Sequence, residues 1–293
     1  MKAVFVTTEP NDVANVIAAW DFWNVKSTRI TFDYREPFDG DDIVKRASAV
    51  CPDVIFYIGG AGGEKYLPSF KTLRELREVA PSINLIFDGG DEPWHAMIED
   101  YRRGKCFNLQ VNIDGRKDCP ADLNTTAPVN TSFFEGEGPG RDIFCGISGA
   151  ISEGDRRTNI IKPLLAEGLI KMRLRDYVGD GYPEHVAFMR RCQMIINTSF
   201  TGSGKSHHVK QRVFETGFAG AALLEDIEAP TSHWIPPEYF FTYEDARFSP
   251  ARPSEIIKNL NTEEVAEKAG LLQEHVRAHY TPQQVYGGML DRL

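Results

Sequence analysis

The sequence predicts an α/β protein of two domains, each a mainly parallel sheet with helices between its strands. Short apolar runs alternate with helical patterns of about ten residues over the first ~115 positions, and the alternation resumes after position 140. Between the two stretches the rhythm lapses. Residues 114–140 hold Cys119-Pro, Ala127-Pro and Glu135-Gly-Glu-Gly-Pro-Gly140, which is turn and linker chemistry. The boundary is therefore expected at 136–140, with an N-terminal domain over residues 1–135 and a C-terminal domain over 141–293.

Taken in order, strand-like runs fall at 3–7, 29–33, 54–58, 84–87 and 108–113, with helical patterns at 12–23, 41–49, 70–79 and 93–103. Right-handed βαβ crossovers collect the loops that follow strands on one edge of a sheet. Those loops are Thr7-Thr-Glu-Pro-Asn-Asp12, Gly59-Gly-Ala-Gly-Gly63 and Asp88-Gly-Gly-Asp-Glu-Pro93. Glycines and acids gather in them, as a ligand-facing edge requires. In the second half a strand at 142–147 leads through a Gly/Ser loop to a helix at 155–167. A strand at 173–177, a helix at 183–192 and a strand at 193–198 follow. A helix with basic residues at its mouth is expected to open near Lys205 and to end on a glycine, before a short buried strand at 221–224. Beyond lie a strand at 239–243 and helices at 253–260, 263–279 and 281–293. Thr281-Pro282 reads as an N-cap followed by proline in the first turn, and this last helix is a candidate to pack back on the first domain.

The totals bound the functional classes. Of 293 residues, 42% are hydrophobic and 26% charged, the balance of a soluble globular protein. A net charge of −9 argues against non-specific binding to nucleic acid or anionic membranes. No apolar run approaches the ~20 residues of a membrane span, and the opening residues lack a signal-peptide layout. Five cysteines, an odd number without a C-x-x-C pair, read as reduced thiols. A cytoplasmic location is the expectation. Oligomeric state is not legible.

Thr201-Gly-Ser-Gly-Lys-Ser206 follows a strand and precedes a helical pattern, the context of a phosphate-binding loop, but such a loop needs glycine where Ser199 stands. A P-loop-like ATP-dependent kinase or NTPase is one reading of residues 201–206, and a polar turn is another. Lys210 and Arg212 point about 200° apart on a helix, so one of them at most reaches a ligand from its N-terminus; solvated side chains are the plain alternative. Glu215 lies among apolar and small residues and needs a partner. A sugar diol offers it two donors, and Arg212, three residues earlier, offers an ion pair.

The run Val209-Lys-Gln-Arg-Val-Phe-Glu-Thr-Gly-Phe-Ala-Gly-Ala-Ala-Leu-Leu-Glu225 resembles the signature segment of the CgeB-like group 1 glycosyltransferases. Phe144-Cys-Gly-Ile-Ser-Gly149 followed by Asp155-Arg-Arg157 is similar to that family's first C-domain strand and loop, and His275-Val-Arg-Ala-His-Tyr-Thr281 to the end of its charged helix. The likeness covers residues 142–290 best. It implies the GT-B fold, two Rossmann-like domains facing each other across a cleft, with a nucleotide-sugar held chiefly by the second. It implies that Glu215 bonds the ribose hydroxyls, and that Lys210, Arg212, Arg156 and the loop of Gly146, Ser148 and Gly149 lie near the diphosphate. Many retaining GT-B enzymes carry a glutamate pair spaced E-x7-E; here His207 stands at the first of those positions, leaving the donor-sugar contacts and the stereochemical outcome open.

In the first domain, the loop of Asp88 and Asp91 resembles the one that GT-B enzymes turn toward the donor sugar, and either carboxylate is a candidate general base toward an acceptor hydroxyl. The Asp-x-x-Asp spacing also admits a metal reading, and Asp91 alternatively caps the helix starting at Pro93. Thr8 and Glu9 are second candidates on the acceptor side, while His95 reads as a packed or exposed histidine. The implied activity is metal-independent transfer of a hexose or related sugar from a nucleoside-diphosphate sugar, such as a UDP- or GDP-sugar. The acceptor would be a hydroxyl on a glycan, lipid, protein or modified nucleic acid. No tightly bound cofactor is expected. A non-catalytic GT-B module that binds sugar is the remaining alternative.

Overall fold

A computed structural model of the chain describes residues 1–9, 14–59, 65–89, 91–92, 94–149, 156–174, 181–201, 204–244 and 252–293. It divides into two compact units, Met1–Asn130 with Pro282–Leu293, and Thr131–Thr281.

The first unit is built on a six-stranded parallel sheet. Its strands are β1 (Ala3–Glu9), β2 (Thr28–Asp33), β3 (Val54–Ile58), β4 (Ser82–Ile86), β5 (Leu109–Asn112) and the short β6 (Leu123–Asn124), in the order β2-β1-β3-β4-β5-β6. Every residue of β3 and β4 is buried, as a parallel sheet covered on both faces demands. The helices between strands are α1 (Ala14–Trp23), α2 (Gly40–Val50), α3 (Phe70–Val79) and α4 (Trp94–Arg103). Asp39 caps α2 by accepting from the Asp41 N–H, and Ser69 caps α3 by accepting from Thr72.

Alternation along β1 sends Phe5 to one face and Val4 and Val6 to the other, giving two apolar layers. The Phe5 layer is largely aromatic. Trp20 meets Phe56 with ring centroids 5.1 Å apart and Tyr286 at 5.2 Å. Tyr286 belongs to the last helix, α10 (Pro282–Leu290), whose hydroxyl bond to the Val16 carbonyl at 2.6 Å anchors it in this unit. Truncating a buried aromatic of this kind costs about 3–5 kcal/mol.

The second unit is built on a five-stranded parallel sheet: β7 (Ile143–Gly149), β8 (Lys171–Leu174), β9 (Cys192–Ile196), β10 (Ala222–Asp226) and β11 (Phe241–Tyr243), in the order β11-β10-β9-β7-β8. Its helices are α5 (Arg156–Ala166), α6 (Gly181–Arg191), α7 (Gln211–Phe218), α8 (Pro253–Asn259) and α9 (Thr262–His279). Gly217 lets α9 lie directly on α7, because a Cβ at that position would stand 2.7 Å from Val276. Gly220 ends the helix region at φ +67°, a conformation that costs glycine little. No helix among the described residues is long and apolar enough to cross a membrane.

Three expectations are corrected here. The segment 146–149 is the end of strand β7, not a loop, since its residues pair with 171–174 of β8. The strand expected at 173–177 runs over Lys171–Leu174, with 175–177 outside the described residues. The helix expected to open near Lys205 starts only at Gln211. Ahead of it the chain turns back on itself, through an antiparallel bridge between Phe200 and His207 and a bond from the His208 N–H to the Ser199 carbonyl at 2.9 Å. That local pairing takes residues 207 and 208 away from a helical path.

Candidate functional site

The carboxyl edge of the second sheet gathers the polar side chains. β7 ends on Ser148 and Gly149, β9 runs out into Asn197, Thr198 and Ser199, and β10 ends on Glu225 and Asp226. These are strand termini of a parallel sheet, where side chains and the N-termini of following helices converge.

Glu215 stands near the middle of α7 and is buried, 4% exposed. The Tyr182 hydroxyl donates to its Oε1 at 2.9 Å, and His185 Nε2 lies 3.0 Å from Oε2. A carboxylate only accepts, so Nε2 carries the hydrogen; in the neutral ring Nδ1 is then free to accept from the Ser148 hydroxyl, 2.7 Å away. Ser148, His185 and Glu215 thus form one chain of hydrogen bonds from β7 through α6 to α7. Burial pushes the Glu215 carboxyl up, but the charge and hydrogen bond of His185 outweigh it, with the Tyr182 hydroxyl adding to them. The net direction is below the ordinary carboxylate range. The Tyr182 and His185 bonds on Glu215 come from α6, and the charge of Arg212 adds a smaller lowering effect. Neither Tyr182 nor His185 was singled out from sequence.

A second network runs beside it. Arg212 donates from Nη1 to Asn197 Oδ1 at 2.9 Å, and the Asn197 amide donates to both oxygens of Glu225 at 3.0 Å. Glu225 is wholly buried and also accepts from the Thr231 hydroxyl at 2.9 Å. Burial dominates its titration and lifts it to about 7. The Arg212 guanidinium reaches Gly149: a Cβ there would stand 2.7 Å from Nη2, so the bare strand end is what admits it.

The remaining second-unit residues sort as follows. Gly146 lies inside β7, where a Cβ would meet Cys192 Sγ at 2.4 Å and Phe188 at 3.0 Å, so its lack of a side chain serves packing against α6. The Arg156 guanidinium lies over the Phe200 ring at 4.2 Å. Arg157 instead bonds the Thr198 hydroxyl from Nε at 2.9 Å, and its Nη1 stands 3.9 Å from the Cβ position of Gly149. Of the two neighbouring arginines, Arg157 is therefore the one at the strand end. Lys210 is the N-cap residue of α7. His207 pairs through Nδ1 with the Ser199 hydroxyl at 2.6 Å and lies 3.5 Å from the buried Asp226 carboxylate. His208 is buried.

The 201–206 segment does not have the form of a phosphate loop. In such a loop the Lys-Ser pair opens the helix, whereas here residues 207–210 intervene before α7. The Thr201 N–H bonds the Ser206 carbonyl at 2.9 Å, closing the segment on itself. Lys205 is exposed, and positions 202 and 203 lie outside the described residues.

In the first unit, Asp88 takes φ +53°, which aspartate tolerates better than most residues. Its carbonyl accepts from the Asp91 N–H, and the Asp91 carbonyl accepts from the Trp94 N–H, both at 3.0 Å, so backbone bonds tie Asp88 to Asp91 and Asp91 to the start of α4. Asp91 is buried while Asp88 is half-buried. Arg116 is held above its ordinary range first by its hydrogen bond to Asp118, against the opposing effect of burial, with the charges of Asp118, Asp114 and Asp91 contributing. Positions 90 and 93 lie outside the described residues, as do residues 10–12, 60–63 and 155 of other predicted features and the side chain of Glu9. Thr8 is the next-to-last residue of β1, and His95 lies in the first turn of α4.

No family model matches the chain, and no curated protein matches it in sequence. Solved structures do. HepE (Alr3699) of Anabaena in complex with UDP and glucose aligns with a TM-score of 0.66 at 10% identity, over 99% of this chain and 98% of that one. A glycosyltransferase from Rickettsia africae gives 0.62 at 10% identity, over 99% and 97%. The UDP-forming alpha,alpha-trehalose-phosphate synthase of Burkholderia vietnamiensis gives 0.58 at 8% identity, over 100% and 99%. The chain has the two-domain GT-B fold of these proteins.

Proposed function

We propose that the protein is a glycosyltransferase that takes a nucleoside-diphosphate sugar as donor. The observation that carries this is the buried carboxylate of Glu215, held on α7 by Tyr182 and His185 at the carboxyl edge of the second sheet. A carboxylate kept ionised and oriented in this way accepts two hydroxyl hydrogens of a ribose, one bidentate charge-assisted interaction contributing about 1.5–3 kcal/mol net of the donors it displaces. Ser148 and His185 fix its direction, and the ribose displaces or shares the Tyr182 and His185 donors.

The diphosphate is assigned to the strand end beside it. Arg212 and Arg157 present guanidiniums at Gly149, and the positive end of the α7 dipole begins after Lys210. Positive charge already in place where the leaving diphosphate develops negative charge is electrostatic stabilisation of the departing group, and on this reading it needs no divalent ion. The donor base is assigned as uracil, in keeping with the UDP bound by HepE. Asp88 or Asp91 of the first unit is the proposed base toward the acceptor hydroxyl. CgeB-like kinship within the GT-B enzymes rests on the segment 209–225.

A panel of UDP-, GDP- and ADP-sugars, read by thermal shift, tests the reading. UDP-sugars are expected to raise stability by about 2.7 kcal/mol at a hundredfold excess over Kd, and chelation with EDTA to leave the shift unchanged. A panel without any response to nucleotide would refute the assignment.

A further inference from the structure

The second unit holds a cavity of about 300 Å³ at the edge of its sheet opposite Ser148, its wall reaching Phe218 and Ala219 about one helical turn beyond Glu215. Arg141 stands two residues before β7, Arg190 in the last turn of α6 before β9, and Phe218 at the end of α7 before β10. Gln273 and Arg277 of α9 and Phe134 complete the wall. Seven residues of strand separate Arg141 from Ser148, about 23 Å at the usual rise. The cavity is therefore separate from the site assigned above.

Its chemistry is one-sided. Three guanidiniums line it and no carboxylate does. A plain structural role explains part of this. Arg141 donates to the carbonyls of Cys192 and Ala219, the latter at 2.7 Å, which satisfies the ends of α6 and α7. Arg190 donates to the carbonyls of Glu135 and Gly136 at 3.1 and 2.6 Å. Arg277 lies in the last turn of α9 and complements that helix. Each helix C-terminus is worth about −0.5 of a charge, so three of them offset roughly half of the three positive charges present. Roughly one and a half positive charges remain uncompensated, matching a phosphate dianion. Arg141 and Arg190 each use two of five N–H donors on carbonyls, and Arg277 has no hydrogen bond or ion pair among the described residues.

Like charges lining one cavity repel unless an anion joins them. Burial first, and then Arg190, act to lower the pKa of Arg141. The two arginines nevertheless stay in place because backbone carbonyls hold them, which preorganises the donors. We propose that this cavity is a binding site for a phosphate dianion, carried by Arg141, Arg190 and Arg277 with the Gln273 amide beside them. Its volume lies at the lower end for small-molecule sites, so the ligand is inorganic phosphate or a small phosphate monoester.

Calorimetry on the full chain tests this, with inorganic phosphate and glucose 6-phosphate as separate probes. At least one is expected to bind with a Kd of about 1 mM or tighter. Arg277→Gln and Arg190→Gln are each expected to weaken that binding about tenfold or more, whereas Arg212→Gln, at the strand end assigned to the diphosphate, is expected to remove at most a second, separate binding event. Arg277→Gln breaks no bond within the described residues and gives up only the helix-end charge, about 0.3–1 kcal/mol, so its melting temperature without phosphate falls by no more than about 4 °C. Response to inorganic phosphate alone identifies the free ion as the ligand; tighter binding of glucose 6-phosphate identifies a monoester. Absence of binding by both probes, or a loss that follows Arg212 rather than Arg277 and Arg190, would overturn the proposal. Nucleotide binding enters none of these readings, so the result stands apart from the donor assignment.

Discussion

The carboxyl edges of the two sheets hold their charge in different ways. On the second sheet each buried acid has side-chain partners from elsewhere in the fold: Glu215 from α6, and Glu225 from Asn197 and Thr231. On the first sheet backbone bonds tie Asp88 to Asp91 and Asp91 to α4, and the charge of Asp91 acts on Arg116. A carboxylate clamped by distant elements suits binding, because its direction is set before a ligand arrives. A carboxylate on a short turn is positioned by local geometry, which suits a group that must exchange a proton with an acceptor. On the proposed function, donor binding falls to the second edge and proton transfer to the first.

The largest expected effect falls on the first edge. At one of the two positions, Asp88→Asn or Asp91→Asn is expected to lower kcat by about 10²–10⁴, the usual range for a general base, with UDP affinity unchanged. Parallel loss of kcat and affinity in steady-state kinetics and calorimetry would reduce this turn to a structural role and remove the contrast.

A smaller effect is expected at the clamp. His185→Gln removes the ring that joins Ser148 to Glu215. UDP binding should weaken about tenfold while kcat at saturating donor changes little. An unaltered Kd would detach α6 from the donor site.

A further effect is in pH dependence. Glu225 titrates near 7, raised by burial, so the folded state favours its neutral form. A group with a raised folded pKa contributes stability below its unfolded value, and that contribution is lost as pH rises toward the folded value. Between about pH 4.5 and 7 the wild type should lose on the order of 1–3 kcal/mol relative to Glu225→Gln. Denaturant melts of the two proteins across that window measure the difference; a constant gap would place the proton elsewhere in the Asn197 network.

Much of the fold was legible because its signals are local. Apolar runs bounded by turns locate strands, and β3 and α3 have the bounds that the pattern indicates. The start of α7 was not legible. His207-His208-Val209-Lys210 reads as helical, and what removes it from the helix is pairing with Ser199 and Phe200, a contact across a turn that leaves no periodic trace. Glu215 and Arg212 stood out as charges within an apolar stretch. Their true partners did not, since His185 lies 30 residues from Glu215 and Tyr182 33. One signal was present: His185 precedes the buried Met189 by four residues, on the face that α6 turns inward. Arg156 and Arg157 are adjacent and chemically alike, and only the packing of Phe200 under Arg156 separates their roles.

The central claim is that Glu215 binds the ribose of a UDP-sugar. Titrating UDP into the wild type and Glu215→Ala by calorimetry tests it most directly, with Glu215→Gln as the variant that keeps shape and removes charge. Both substitutions are expected to weaken UDP by on the order of 10- to 100-fold, the loss of one charge-assisted interaction. Equal affinity for UDP in the wild type and both variants would contradict the account.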